Sequence, residues 1–182
     1  MKLDLSNKDQ GIFVFQLDKN NYIKFCPERG GVITNWVSDG NEILYFDEKR
    51  FMDKTKSIRG GIPILFPICG NLNTSSSIFG KEYLQLIQHG FARDLQWQYS
   101  FKENEKILCL SLNESKNTKK YYPFDFELKI DITLNFALKE EVLLQIGFRM
   151  VMKYFISMKK DLWIRQKVLG EVFQSCFQFV EI

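Results

Sequence analysis

The chain has 182 residues, the size of one domain, and its 45% hydrophobic and 15% aromatic content is enough for a substantial core. Its 25 basic and 22 acidic side chains are spread along the sequence, so the net charge of +3 hides no basic stripe of the kind that binds nucleic acid or an anionic membrane. Four cysteines without a C-x-x-C pair, and a single histidine, argue against a zinc site or a disulfide framework and predict reduced, mostly buried thiols at Cys26, Cys69, Cys109 and Cys176.

The opening MKLDLSNKDQ alternates polar and apolar groups and lacks the apolar run and cleavage site of a secretory leader, so a cytoplasmic location is expected. From residue 12 to residue 46 the runs IFVFQL, YIKFC, VITNWV and EILYF predict short antiparallel strands. Asp39-Gly40 between two of them is a hairpin signal, because both residues tolerate the positive φ of a tight primed turn. Pro27-Glu28-Arg29-Gly30-Gly31 predicts a corner, and the charged run DEKRFMDKTKS over 47–57 predicts an exposed loop.

The most distinctive stretch is SIRGGIPILFPICG, residues 57–70. Gly60-Gly61 permits close backbone approach or positive φ, and Pro63 and Pro67 each remove a ladder donor, so this is no regular central strand. A small polar loop, NLNTSSSIF, follows, and then QHGFARD at 88–94. Together the two segments carry two fixed cations, Arg59 and Arg93, and one titratable imidazole, His89, a set that suits a polar or anionic ligand. The ordinary alternatives are a surface salt bridge for each arginine and a structural histidine. Phe66, Phe91 and Trp97 read better as core than as a ligand platform.

Beyond Arg93 the period of two returns, with Trp97, Tyr99 and Phe101, then Leu108, Leu110 and Leu112. The clearest strand is Phe124 to Phe136, where apolar residues alternate with Asp, Glu, Lys, Asp, Thr and Asn, a length that belongs to a large sheet. These runs predict an all-β protein of sandwich type. From about Lys139 the pattern changes: asparagine, present eleven times up to Asn135, and proline, last at Pro123, no longer occur. Residues 1–138 therefore read as the β-sandwich portion, and 139–182 as a divergent tail expected to form an amphipathic helix over the open side of a sheet. Arg149 and Lys153 interrupt its apolar run before it reaches the length of a membrane span.

Three blocks in order, SIRGGIPILFP at 57–67, HGFARD at 89–94 with Trp97 after it, and YPFDFEL at 122–128, resemble the aldose 1-epimerase family, most of all its hexose-6-phosphate mutarotase branch. The PERGG corner at 27–31 also fits, and the likeness covers about residues 10–137. The resemblance implies a galactose-mutarotase-like β-supersandwich, here incomplete, with no metal or organic cofactor, acting on a hexose or hexose phosphate to interconvert its α and β anomers. By the same resemblance, Arg59 and Arg93 match arginines that hold the substrate phosphate, and His89 matches a histidine that contacts the sugar. Mutarotation also needs an acid and a base. In the family these are a second histidine and a glutamate near the C-terminus, and the second histidine's H-P-Y-F block is absent here, so no catalytic residue is assigned.

Three expectations follow: a hexose-phosphate mutarotase by descent, a non-catalytic carbohydrate or sugar-phosphate binding remnant, or a truncated product that folds poorly. A tail produced by a frameshift or premature stop would account for the change near Leu138. Neither nucleic acid nor membrane is an expected partner, and the oligomeric state is left open.

Overall fold

In the computed structural model the described residues are 2–4, 11–53, 55–73, 75–136 and 142–152, with backbone alone described for 2–4, 135–136 and 142–152. They form two antiparallel sheets. The first has the order β1 (Lys2–Asp4), β2 (Phe13–Asp18), β3 (Asn21–Cys26), β4 (Val32–Ser38) and β5 (Asn41–Glu42). The second has the order β6 (Gln98–Lys102), β7 (Ile107–Asn113), β8 (Phe126–Phe136) and β9 (Val142–Met152). Each strand pairs with its sequence neighbour, as short connections favour.

Alternation explains which faces meet. Leu108, Leu110 and Leu112 of β7 and Phe126, Leu128, Ile130, Ile132 and Leu134 of β8 are buried, and they join Phe13, Phe15, Ile23, Phe25, Ile33 and Trp36 of the first sheet in one core. The sheets touch through aromatic pairs: Phe15 meets Phe101 edge-on with ring centroids 5.5 Å apart, and Phe13 meets Tyr99 at 5.1 Å. Phe66, Phe91, Trp97 and Tyr122 belong to the same core, so the expectation that Phe66, Phe91 and Trp97 are packing residues holds.

The Asp39-Gly40 hairpin forms as expected, with φ of 49° and 78°. Three other local expectations are corrected. Of the run EILYF only Glu42 enters a strand, the two-residue β5, after which a lone bridge, Phe46 to Gly60, replaces the ladder. The charged run 47–57 is not a plain loop: Asp47 accepts a hydrogen bond from Arg50 N at 3.0 Å and caps α1 (Glu48–Met52), whose Phe51 is buried. Phe51 forms a second, smaller cluster with Ile12, Cys26 and Val32 on the outer face of the first sheet. Finally, the helix expected from residue 139 is not what Val142–Met152 forms. These residues are β9, paired with β8 from Phe136↔Val142 to Phe126↔Met152, and the long row of acceptors and donors on β8 accounts for the strand winning over a helix. The rest of the tail expected to be helical lies outside the described residues.

Cys26 and Cys109 are free thiols, and burial pushes both thiol pKa values up, that of Cys109 to about 11 with help from Asp131. Cys69 is disulfide-bonded, contrary to the expectation of four reduced thiols, and Cys176 lies outside the described residues. Among the described residues no helix is long and apolar enough to cross a membrane.

Candidate functional site

The arginine-glycine segment is fixed by backbone contacts that only glycine permits. Gly60 and Gly61 have φ of 81° and 67°, and a Cβ would stand 2.2 Å from Tyr45 O at the first and 2.5 Å from Ile33 O at the second. Gly61 N donates to Tyr45 O at 2.8 Å, Asp47 N to Arg59 O at 3.1 Å, and Ile62 N to Ile33 O at 2.8 Å. The segment thus runs between β4 and the 45–47 stretch, and Arg59 is held by its backbone while its side chain stays exposed.

The histidine segment folds back on the second half of the same stretch. Phe91 N and Ala92 N both donate to Phe66 O, at 2.9 and 3.2 Å, and Gly90, with φ of 70°, lies so close that a Cβ would be 2.0 Å from the same oxygen. His89 itself has φ of 65°, a left-handed conformation unusual for a residue with a Cβ, and its N–H donates to Gly70 O at 3.0 Å. Its side chain is fixed too, since Nδ1 lies 2.6 Å from Cys69 O. A carbonyl can only accept, so Nδ1 carries the hydrogen and Nε2 is the acceptor nitrogen of the neutral ring. Asp39 and Lys106 share the positive φ at turns, so what sets His89 apart is the pair of hydrogen bonds that fix both its backbone and its ring.

Arg93 follows in a 3₁₀ turn, Ala92–Asp94. Its side chain is only 15% exposed, and Nε lies 3.5 Å from Asp94 Oδ2, an ion-pair separation longer than a good hydrogen bond. The PERGG corner closes over its backbone: a Cβ on Gly30 would meet Arg93 O at 2.1 Å, and Gly30 N donates to Leu95 O at 2.7 Å. Trp97 locks the turn from beneath, donating through Nε1 to Ala92 O at 2.9 Å.

His89 and Arg93 therefore sit four residues apart on one rigid turn, and Arg59 lies on the segment against which that turn is pinned. No hydrogen bond or ion pair joins Arg59 to the other two among the described residues. Two surface depressions lie elsewhere, one of about 470 Å³ lined by Glu82, Tyr83, Leu84 and three lysines, and one of about 620 Å³ along Gln96–Tyr99. Among the described residues no group of three or more His, Cys, Asp or Glu side chains is placed to hold a metal ion.

Sequence reasoning missed Arg29. Its guanidinium donates to Phe51 O and, at 2.6 Å, to Lys56 O, and lies 4.9 Å from the Phe51 ring centroid, so it ties the 47–57 segment to the corner beside Arg93. The arginine inside PERGG was visible, but its carbonyl acceptors lie more than twenty residues away and carry no side-chain signature.

A family model described as aldose 1-epimerase matches residues 14–150. A Cenchrus ciliaris protein named "putative glucose-6-phosphate 1-epimerase" is 32% identical over 114 residues, 58% of this chain and 31% of that protein. A Salmonella typhimurium protein of the same name is 31% identical over 105 residues, 55% of this chain and 32% of that protein. The chain thus spans about a third of the length of these curated relatives. Among solved structures, the Slr1438 protein of Synechocystis is 36% identical with a TM-score of 0.65, over 78% of this chain and 48% of that one. A galactose mutarotase-like protein from Lactobacillus casei, at 24% identity, shares the fold with a TM-score of 0.61, over 81% of this chain and 46% of that one. With three-quarters of its length under one family model, and its two sheets superposing on mutarotase-like structures, the chain belongs to the aldose 1-epimerase family.

Proposed function

We propose that this chain forms the sugar-phosphate-binding part of a hexose-6-phosphate epimerase site, in which Arg59 and Arg93 take the phosphate and His89 takes a sugar hydroxyl. The observation that carries the reading is the His89–Arg93 turn. One rigid backbone presents an imidazole with its acceptor nitrogen defined and, four residues on, a largely buried guanidinium. Arginine's planar fork of permanent donors matches phosphate, and a neutral imidazole nitrogen accepts from a hydroxyl. The relatives named for glucose-6-phosphate 1-epimerase support a phosphorylated hexose as the ligand.

Anomer interconversion removes a proton from the C1 hydroxyl and delivers one to the ring oxygen, then closes the aldehyde on its other face. His89 is the single histidine of the chain, so one imidazole is available where the reaction calls for an acid and a base. That observation favours a second reading: binding of the sugar phosphate without turnover by this chain alone. NMR exchange between the anomers of freshly dissolved glucose 6-phosphate tests both. Rate enhancement that disappears in Arg93→Ala supports the enzyme, and binding without enhancement selects the second reading. A chain that neither binds nor accelerates refutes both.

A further inference from the structure

Tyr45 is the most exposed large apolar side chain among the described residues, at 68%. Its backbone is nevertheless fixed. Tyr45 O accepts from Gly61 N at 2.8 Å, Phe46 and Gly60 form an antiparallel bridge, and Asp47 N donates to Arg59 O at 3.1 Å. This short ladder sets Tyr45 opposite Gly61 and Asp47 opposite Arg59. Phe46 turns inward, with its ring centroid 5.1 Å from that of Phe51, and packs on the smaller core cluster. Successive side chains on an extended segment point to opposite sides, so Tyr45 turns outward on the side where Arg59 is exposed. Gly60 and Gly61 add no side chain between them.

A single exposed aromatic is ordinary on a protein surface, and what marks Tyr45 is that this ladder holds its backbone on the side where Arg59 is exposed. Here the neighbour is an exposed guanidinium, so a ligand that suits both groups has an anionic end and an apolar face. A pyranose ring that carries a phosphate has both, because its C–H groups form a flat apolar surface bounded by hydroxyls. We propose that Tyr45 is the platform for the sugar ring of a hexose phosphate whose phosphate meets Arg59. This rests on the hexose-phosphate reading and adds a residue that sets specificity for the sugar over the bare anion.

The test is titration of the full chain, followed by two-dimensional NMR, with glucose 6-phosphate and separately with inorganic phosphate. Tyr45→Ala weakens glucose 6-phosphate binding about five- to tenfold, the scale of one aromatic contact, while Tyr45→Phe keeps it within about twofold. Both variants leave inorganic phosphate binding unchanged. The fixed contacts of Tyr45 are those of its backbone, so both variants keep the fold, which the spectra verify. If Tyr45→Ala binds glucose 6-phosphate as the parent does while Arg59→Ala does not, the platform is overturned and the hexose-phosphate reading stands. A Tyr45→Phe variant as weak as Tyr45→Ala also overturns the platform, since the hydroxyl would then be the contact. If the parent chain does not bind glucose 6-phosphate at all, both fall.

Discussion

The Nδ1 nitrogen of His89 donates to the carbonyl oxygen of Cys69 at 2.6 Å, across twenty residues of sequence. The bond fixes both the ring plane and the tautomer, and it leaves Nε2 as the nitrogen able to accept from a ligand hydroxyl. At a pH where the ring is neutral, long-range proton–nitrogen NMR correlations should show the hydrogen on Nδ1. A ring with its hydrogen on Nε2 would contradict the assignment.

Gly90 is the residue whose replacement should damage the site most. At φ of 70°, with a Cβ that would lie 2.0 Å from Phe66 O, it cannot accept even alanine without moving the backbone. Gly90→Ala should cost roughly 2–4 kcal/mol in denaturant unfolding, from the left-handed conformation and the displaced Phe66 contacts together. Gly40→Ala is the control, because a Cβ there meets nothing within 4 Å and only the positive-φ strain of about 1 kcal/mol remains.

Arg29 anchors the approach to Arg59 by way of two carbonyls and the Phe51 ring. Arg29→Ala should cost about 2 kcal/mol, the order of one or two charge-assisted hydrogen bonds at a partly exposed site. Hydrogen exchange should speed up across the 47–57 segment first and in β7 and β8 least. Uniform loss of protection would mean that Arg29 supports the whole fold and not this segment.

Burial pushes the Tyr122 phenol from its ordinary 10 up to about 12. The unfolded chain ionises this tyrosine near pH 10 and the folded chain not until about 12, so the unfolded state loses its proton first. The resulting stability is intact below pH 10 and is lost as pH rises through the interval from 10 to 12. Thermal melts of Tyr122→Phe should therefore gain on the parent as pH rises from 10 towards about 12. Parallel pH profiles would contradict the shift.

Much of this architecture was legible because strands write a period of two into sequence. Leu108, Leu110 and Leu112, and the row from Phe126 to Leu134, announce a buried face regardless of what covers it. The Asp39-Gly40 turn was legible for a different reason, since few residues accept two consecutive positive φ values. The 47–57 segment misled because its order comes from Asp47 capping and from Arg29, a tertiary partner, and a five-residue helix has too few turns to show a period. The run VLLQIGFRMVM misled towards a helix because its apolar residues do not alternate, and pairing with β8 makes it a strand.

The candidate site divides in the same way. Arg59, His89 and Arg93 stood out by residue type beside glycine and proline. What holds them is backbone: Cys69 O, Phe66 O, Gly70 O and Tyr45 O, none of which a side-chain pattern encodes. Tyr45 was hidden for that reason, inside a run that reads as an ordinary strand.

Calorimetric titration of the full chain with glucose 6-phosphate, alongside unphosphorylated glucose, decides whether Arg59, His89 and Arg93 serve a phosphorylated hexose. Saturable binding of glucose 6-phosphate is expected, weakened about tenfold or more in Arg93→Ala, with glucose much the weaker ligand, as loss of a charge-assisted contact requires. Equal affinity for glucose and glucose 6-phosphate, or binding indifferent to Arg93→Ala, would contradict it.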